Sequence, residues 1–179
     1  MKFVSLIFLA LGVGAARSAH AESLCRWTDE ADIRAAMVGI FTQEGAMSIE
    51  TETLSVTHAI EDSDVVLDPA GWVMLPMVEN WLGHGLETAL SGVIYDVDGV
   101  DDLLAAVEAE WIADAVGDTS CGPEDLPQVS GVFGTGEDVS GRVTVIPYFS
   151  DRMVLLTQTE VRGDWGLAFL TTAALLTRQ

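Results

Sequence analysis

The sequence predicts an α+β fold: a single domain with helices packed on an antiparallel sheet with a C-terminal β-meander. Three apolar runs, Val129–Phe133, Val143–Phe149 and Met153–Val161, are separated by turn-forming residues and predict consecutive strands. Upstream of them, the apolar residues of Asp101–Val116 recur with the helical period and predict an amphipathic helix. The core-facing stripe of this helix is predicted to consist of Leu104, Val107, Trp111 and Ala115.

The N-terminal elements are predicted from a cap and from the spacing of apolar residues. Thr28, which is followed by two acids, predicts the N-cap of a first helix that ends at Gly45. The run Met47–Ile60 is rich in Thr, Val and Ile with partial alternation and predicts a strand. The apolar stripe of the first helix is predicted to consist of Ile33, Met37, Ile40 and Phe41.

The middle of the chain predicts a hairpin followed by a short helix. Val65–Leu67 and Trp72–Leu75 flank Asp68-Pro69-Ala70-Gly71, whose Pro and Gly positions suit a type I turn. Pro76–Leu90 is predicted to be a short helix weakened by two glycines. The final apolar run, Trp165–Leu176, fits a strand or a helix, because periodicity does not separate the two.

The first 21 residues have the form of a secretory signal peptide. A basic second residue precedes an apolar run from Phe3 to Ala16, and positions 19–21 provide a small-x-small site. We therefore expect residues 1–21 to be removed by cleavage between Ala21 and Glu22. Residues 22–179 would then form a single acidic α+β domain in the periplasm or outside the cell. The apolar run is shorter than the ~20 residues that a helix needs to cross a bilayer, so no stable membrane insertion is expected.

The chain is strongly acidic, with 28 acidic and eight basic residues and a formal net charge of −20. Removal of the signal peptide takes away Lys2 and Arg17 but no acid, which brings the charge to −22. Such a field repels nucleic acid and anionic lipid surfaces and favours cations or basic partners, although acidity can also serve solubility alone. Residues 22–138 hold 25 of the acids, whereas residues 139–179 hold three acids and four arginines. We therefore expect the last quarter to supply core sheet and the rest to supply the acidic surface.

Two cysteines remain after cleavage, Cys25 and Cys121. In an oxidising compartment a lone pair of cysteines predicts one disulfide. The alternative is a nucleophilic or redox thiol, which no C-x-x-C spacing supports.

Two groups of polar residues are candidates for a site. His84 and Glu87 are three residues apart and could share a helical face, with Glu79 about a turn earlier, as acid–base groups. Separately, carboxylates at alternating positions could bind calcium, and these are Asp96, Asp98, Asp101 and Asp102. The glycine of that cluster is fourth rather than sixth, so an Asp-Gly turn followed by helix-capping acids is the favoured interpretation. No cofactor is expected.

No G-x-S-x-G or phosphate-loop motif occurs in the chain. The leading hypothesis is therefore an exported soluble accessory or binding protein, with a basic protein or peptide as its partner. The alternative is a small periplasmic or secreted hydrolase with a site around His84, and the second alternative is a calcium-stabilised structural domain. The sequence leaves the oligomeric state open.

Overall fold

The computed structural model describes residues 21–68, 72–75, 86–89, 100–135 and 138–179. Within these ranges the chain is mainly strand with a few short helices. The α-helices are α1 (Glu30–Met37), α2 (Val100–Ala106) and α3 (Trp111–Val116). The strands are β1 (Gly39–Thr51), β2 (Ser55–Leu67), β3 (Trp72–Leu75), β4 (Leu86–Ala89), β5 (Val129–Thr135), β6 (Val139–Phe149), β7 (Arg152–Gly163) and β8 (Gly166–Arg178).

The eight described strands form one antiparallel sheet in the order β4-β3-β2-β1-β8-β7-β6-β5. Consecutive strands are neighbours within β1–β4 and within β5–β8, and the two halves join where β1 pairs with β8. This order confirms the predicted C-terminal β-meander. It also settles the ambiguous run Trp165–Leu176, which lies mostly in strand β8.

The first helix is shorter than the sequence predicts. Its N-cap is Asp29 rather than Thr28, with the Asp29 carboxylate accepting a hydrogen bond in the first turn. The helix ends at Met37, and Ile40 and Phe41 lie in β1 instead. The predicted extension of the helix was wrong because β1 gains ladder hydrogen bonds from β2 on one side and β8 on the other. Such tertiary pairing overrides a local helical spacing.

The predicted strand Met47–Ile60 is in fact parts of two strands joined by a tight turn. β1 ends at Thr51 and β2 begins at Ser55. The Thr51 hydroxyl accepts hydrogen bonds from the backbone nitrogens of Thr53 at 3.3 Å and Leu54 at 3.0 Å. A side-chain hydroxyl thus satisfies the turn backbone, as Ser and Thr commonly do.

The predicted helix Asp101–Val116 is broken into α2 and α3. Glu108, between them, has a φ of 56°, a left-handed conformation that interrupts a right-handed helix. As a result α3 does not present the predicted stripe: Trp111 is 37% exposed and Ala115 is exposed. The helical segment reaches the core through Leu104, Val107, Ile112 and Val116.

The predicted short helix Pro76–Leu90 is also wrong where the structure describes it. Leu86–Ala89 forms strand β4, which pairs antiparallel with β3; residues 76–85 and residue 90 lie outside the described residues. The preceding hairpin agrees with the sequence, since Val66 in β2 lies opposite Met74 in β3. Its turn, residues 69–71, is also outside the described residues.

Alternating residues of the central strands form an apolar layer on each face of the sheet. One face, which we call the α1 face, is covered by α1 and buries Phe41 and Leu155. The other, the α2–α3 face, is covered by the two short helices and buries Leu156 and Ala173. The sheet therefore contributes to both layers.

A disulfide joins Cys25 to Cys121, with their Cα atoms 5.9 Å apart, and confirms the predicted bridge. It links the N-terminal segment to the loop before β5, beside the apolar layer of the α2–α3 face. None of the described helices has the length and apolarity needed to cross a membrane.

Candidate functional site

The residues predicted for acid–base chemistry are not brought together by the described structure. Glu79 and His84 lie outside the described residues. Glu87 lies in β4 opposite Met74, and its side chain is outside the described set. A hydrolytic site around His84 stays a prediction.

The predicted calcium ligands are only partly described. Asp96 and Asp98 lie outside the described residues, whereas Asp101 and Asp102 are exposed in the first turn of α2. Acids at that position stabilise the positive end of a helix, as the favoured interpretation expects. In the described ranges, no three His, Cys, Asp or Glu side chains are grouped so that they could hold a metal ion. The calcium site also stays a prediction.

A groove of about 480 Å³ lies over strands β5, β6, β7 and β8. Two rows of side chains form it, each set by cross-strand pairing. The first row consists of Val132, Arg142, Gln158 and Thr171. The second row consists of Ser140, Glu160 and Phe169.

Both rows project from the α2–α3 face, because side chains alternate along a strand. Gln158 lies two residues beyond Leu156, which packs beneath the helices. Two residues along a strand span about 6.6 Å. The groove therefore begins about one side-chain row beyond the part of the sheet that α2 and α3 cover.

The groove combines exposed apolar side chains with a cation. Val132 is 70% exposed and Phe169 is 50% exposed, although both lie within regular strands. Arg142 is exposed and lies between Val132 and Gln158 in the first row. Val132 on β5 and Phe169 on β8 lie at opposite ends of the groove, and the side chains between them are polar.

The backbone beneath the groove is closely packed at Gly141. A Cβ at this position would lie 2.6 Å from the Gln158 carbonyl oxygen and 3.0 Å from Cε1 of Phe133, its cross-strand partner. The Phe133 ring therefore occupies, on the α1 face, the space that a side chain at this position would need. An aromatic ring over a strand glycine holds the pairing in register.

The only groove carboxylate among the described lining residues, Glu160, already has a partner. It accepts a hydrogen bond from the Arg162 guanidinium at 2.7 Å. The described lining contains no His or Cys, so the Ser140 hydroxyl has no imidazole base there.

The α2–α3 face also carries an acidic surface. Between Val100 and Asp118 the chain has no basic residue. All six acids of this segment are exposed, and these are Asp101, Asp102, Glu108, Glu110, Asp114 and Asp118. We call this set the acidic helix surface.

The sequence-based reasoning missed the groove. A signal for it was present in the strand alternation. Val132 and Phe169 are large apolar residues, whereas the residues two positions further along each strand are Gly134 and Thr171. An apolar residue on the outward row of a strand is not explained by core packing. Seeing that the two residues lie on one surface, however, requires the register of four strands.

Comparison of the chain with protein-family models, with curated proteins and with solved structures found no match.

Proposed function

We propose that this chain is an exported binding protein without catalytic activity, which takes a basic protein or peptide on the α2–α3 face. The observation that carries the proposal is the open groove, in which Val132, Phe169 and Arg142 are exposed on the same face of the sheet as the acidic helix surface. Aromatic and Arg side chains are the groups most enriched at protein interfaces.

The charge of the chain supports a basic partner. A net charge of −20 creates a field that attracts cationic molecules over about a Debye length, ~8–10 Å at physiological salt. The acidic helix surface concentrates part of that field on the α2–α3 face. Such steering raises the association rate, while the contacts made in the groove determine how long the complex lasts.

Export is supported by the signal-like first 21 residues and by the disulfide, which persists in oxidising compartments. The backbone from Glu22 onward is held to the sheet: Ser150 donates a hydrogen bond to the Glu22 carbonyl at 2.9 Å, and Leu24 donates one to the Tyr148 carbonyl at 3.0 Å. A mature acidic domain that starts at Glu22, in the periplasm or outside the cell, fits these contacts.

The role of the acidic helix surface is tested with fluorescent oligolysine of about 20 residues as a basic probe, measured by anisotropy. The variant Glu110→Gln/Asp114→Asn removes two exposed charges from α3. The control Asp32→Asn/Glu52→Gln removes two exposed charges elsewhere, and Asp32, like Asp114, lies in the first turn of a helix.

We expect the α3 variant to weaken binding of the probe about threefold to tenfold at low salt, since exposed charges each contribute up to about 1 kcal/mol. The affinity of the control for the probe should stay within about twofold of that of the wild type. Added salt should weaken binding of the probe to all three proteins. Equal losses in the α3 variant and the control would show that net charge alone attracts the probe, and would contradict the proposed binding face.

A further inference from the structure

Arg142 differs from every other arginine that the structure describes. Arg26, Arg34, Arg152 and Arg162 each form an ion pair with a carboxylate at 2.7–3.4 Å. Arg178 donates to backbone carbonyl oxygens. Within the described ranges, the Arg142 side chain has neither an ion pair within 4.0 Å nor a hydrogen bond.

The lack of an ion pair at Arg142 is unexpected in a chain with 28 acids, because so many carboxylates offer partners for a guanidinium. The nearest acid of the groove by register, Glu160, lies diagonally across from Arg142 on β7. Glu160 is paired with Arg162, and Arg142 is exposed between Val132 on β5 and Gln158 on β7. A planar guanidinium in this setting presents two parallel N–H donors, the arrangement that binds a carboxylate in a bidentate manner.

The dimensions of the groove favour an extended peptide over a small molecule. Four strands at a spacing of about 4.8 Å make the first row about 14 Å long, which matches four to five extended residues at about 3.3 Å each. A small-molecule pocket encloses about 70–90% of its ligand, which an open sheet face does not do. A peptide needs only one side covered, and its own apolar side chains can contact Val132 and Phe169.

We propose that the groove binds an extended peptide segment that carries one Asp or Glu between apolar side chains, with its carboxylate paired to Arg142. This inference rests on the proposed function and specifies its docking contact. The segment belongs to a partner whose other residues are basic and face the acidic helix surface. A second copy of the chain is a poor occupant, since each copy carries a net charge of −20 and the two would repel each other.

The test is selection of displayed random octapeptides against the full chain, followed by affinity measurements on synthetic copies of the enriched peptides. The decisive variant is Arg142→Gln, which changes an exposed side chain that makes no ion pair or side-chain hydrogen bond in the described structure. The charge-matched control is Arg26→Gln, whose side chain is 75% exposed and distant in the fold. Arg142→Lys keeps the charge but loses the forked donor geometry.

We expect enriched peptides to contain an Asp or Glu flanked by apolar residues, and their binding to weaken at least tenfold in Arg142→Gln. The peptide affinity of Arg142→Lys should lie between that of Arg142→Gln and that of the wild type. The peptide affinity of Arg26→Gln should stay within twofold of that of the wild type. Replacing the acidic residue of a peptide by its amide should abolish its dependence on Arg142. The inference is overturned if no peptide is enriched, if enriched peptides lack an acid, or if Arg142→Gln binds them as tightly as the wild type.

The two proposals fail separately. If the α3 variant and its control bind oligolysine with equal affinity, the acidic helix surface is excluded as the steering site. The binding of peptides that depends on Arg142 would be unaffected by that result. Sedimentation of the wild type and of Arg142→Gln tests self-association. If the wild type forms a dimer with rising concentration and Arg142→Gln does not, the groove is a self-association surface and the peptide-binding proposal is overturned.

Discussion

Removal of the disulfide should strongly destabilise the fold without changing its topology. The bridge joins residues that are 96 positions apart. In the chain-entropy model, a closed loop of about 100 residues lowers the entropy of the unfolded chain enough to contribute about 4.7 kcal/mol. The folded N-terminal segment keeps other anchors, including the hydrogen bond from Arg26 to the Asp125 carbonyl at 2.9 Å. The effect should therefore act mainly on the unfolded state.

The perturbation is the double variant Cys25→Ala/Cys121→Ala, and the assay is equilibrium unfolding of the full chain in urea. With a slope of about 2 kcal/mol/M, a loss of 4–5 kcal/mol lowers the midpoint by about 2 M. Reduction of the wild type by a thiol reagent should reproduce this midpoint. Ser120→Ala, an exposed neighbour in the same loop, serves as the control and should leave the midpoint unchanged. A loss below about 1 kcal/mol would refute the argument from loop length.

Three further predictions concern stability, each measured as the free energy of unfolding in urea. Gly45→Ala should cost about 2 kcal/mol, because the added Cβ would overlap the backbone of Ala173 in β8. Arg178→Ala should lower the free energy of unfolding by about 2 kcal/mol, because it removes hydrogen bonds to carbonyl oxygens of residues that follow α1 and β6. Arg178→Lys should recover less than half of that loss. Burial, and secondarily the charge of Asp101, raises the pKa of Tyr148 above its ordinary value of 10.0. The folded state then keeps this proton to higher pH than the unfolded chain, so stability should fall as pH rises above about 10, and Tyr148→Phe should reduce that fall.

The C-terminal half of the fold could be predicted from local pattern because its contacts are local. β5 to β8 are joined by short turns, and each strand pairs with the next one in sequence. Apolar runs and turn residues then carry nearly all the information that the pairing needs. The disulfide could also be predicted from the sequence, since two cysteines in an oxidising compartment have one possible intramolecular pairing.

The errors fall where long-range contacts decide the structure. Ile40 and Phe41 have a helical spacing, but β1 lies between β2 and β8, and the β1–β8 pairing joins Phe41 to Arg178 at the far end of the chain. The break at Glu108 is a second case. A continuous helix over Asp101–Val116 would satisfy the periodicity, yet the left-handed residue turns α3 so that Ile112 and Val116 reach the core. Neither outcome follows from a local window.

The candidate site depends on the same long-range geometry. In sequence, the acid-rich segment ends at Asp138 and the nearly balanced segment follows it. In the fold, the connection from β4 to β5 lays α2 and α3 against β7 and β8, which puts exposed acids on the same face of the sheet as the groove that contains Arg142. An uneven charge distribution along the chain thus places exposed acids and the Arg142 guanidinium on one face of the sheet. A partner that contacts both needs basic residues and a carboxylate at a fixed spacing, which gives selectivity that net charge alone would not supply.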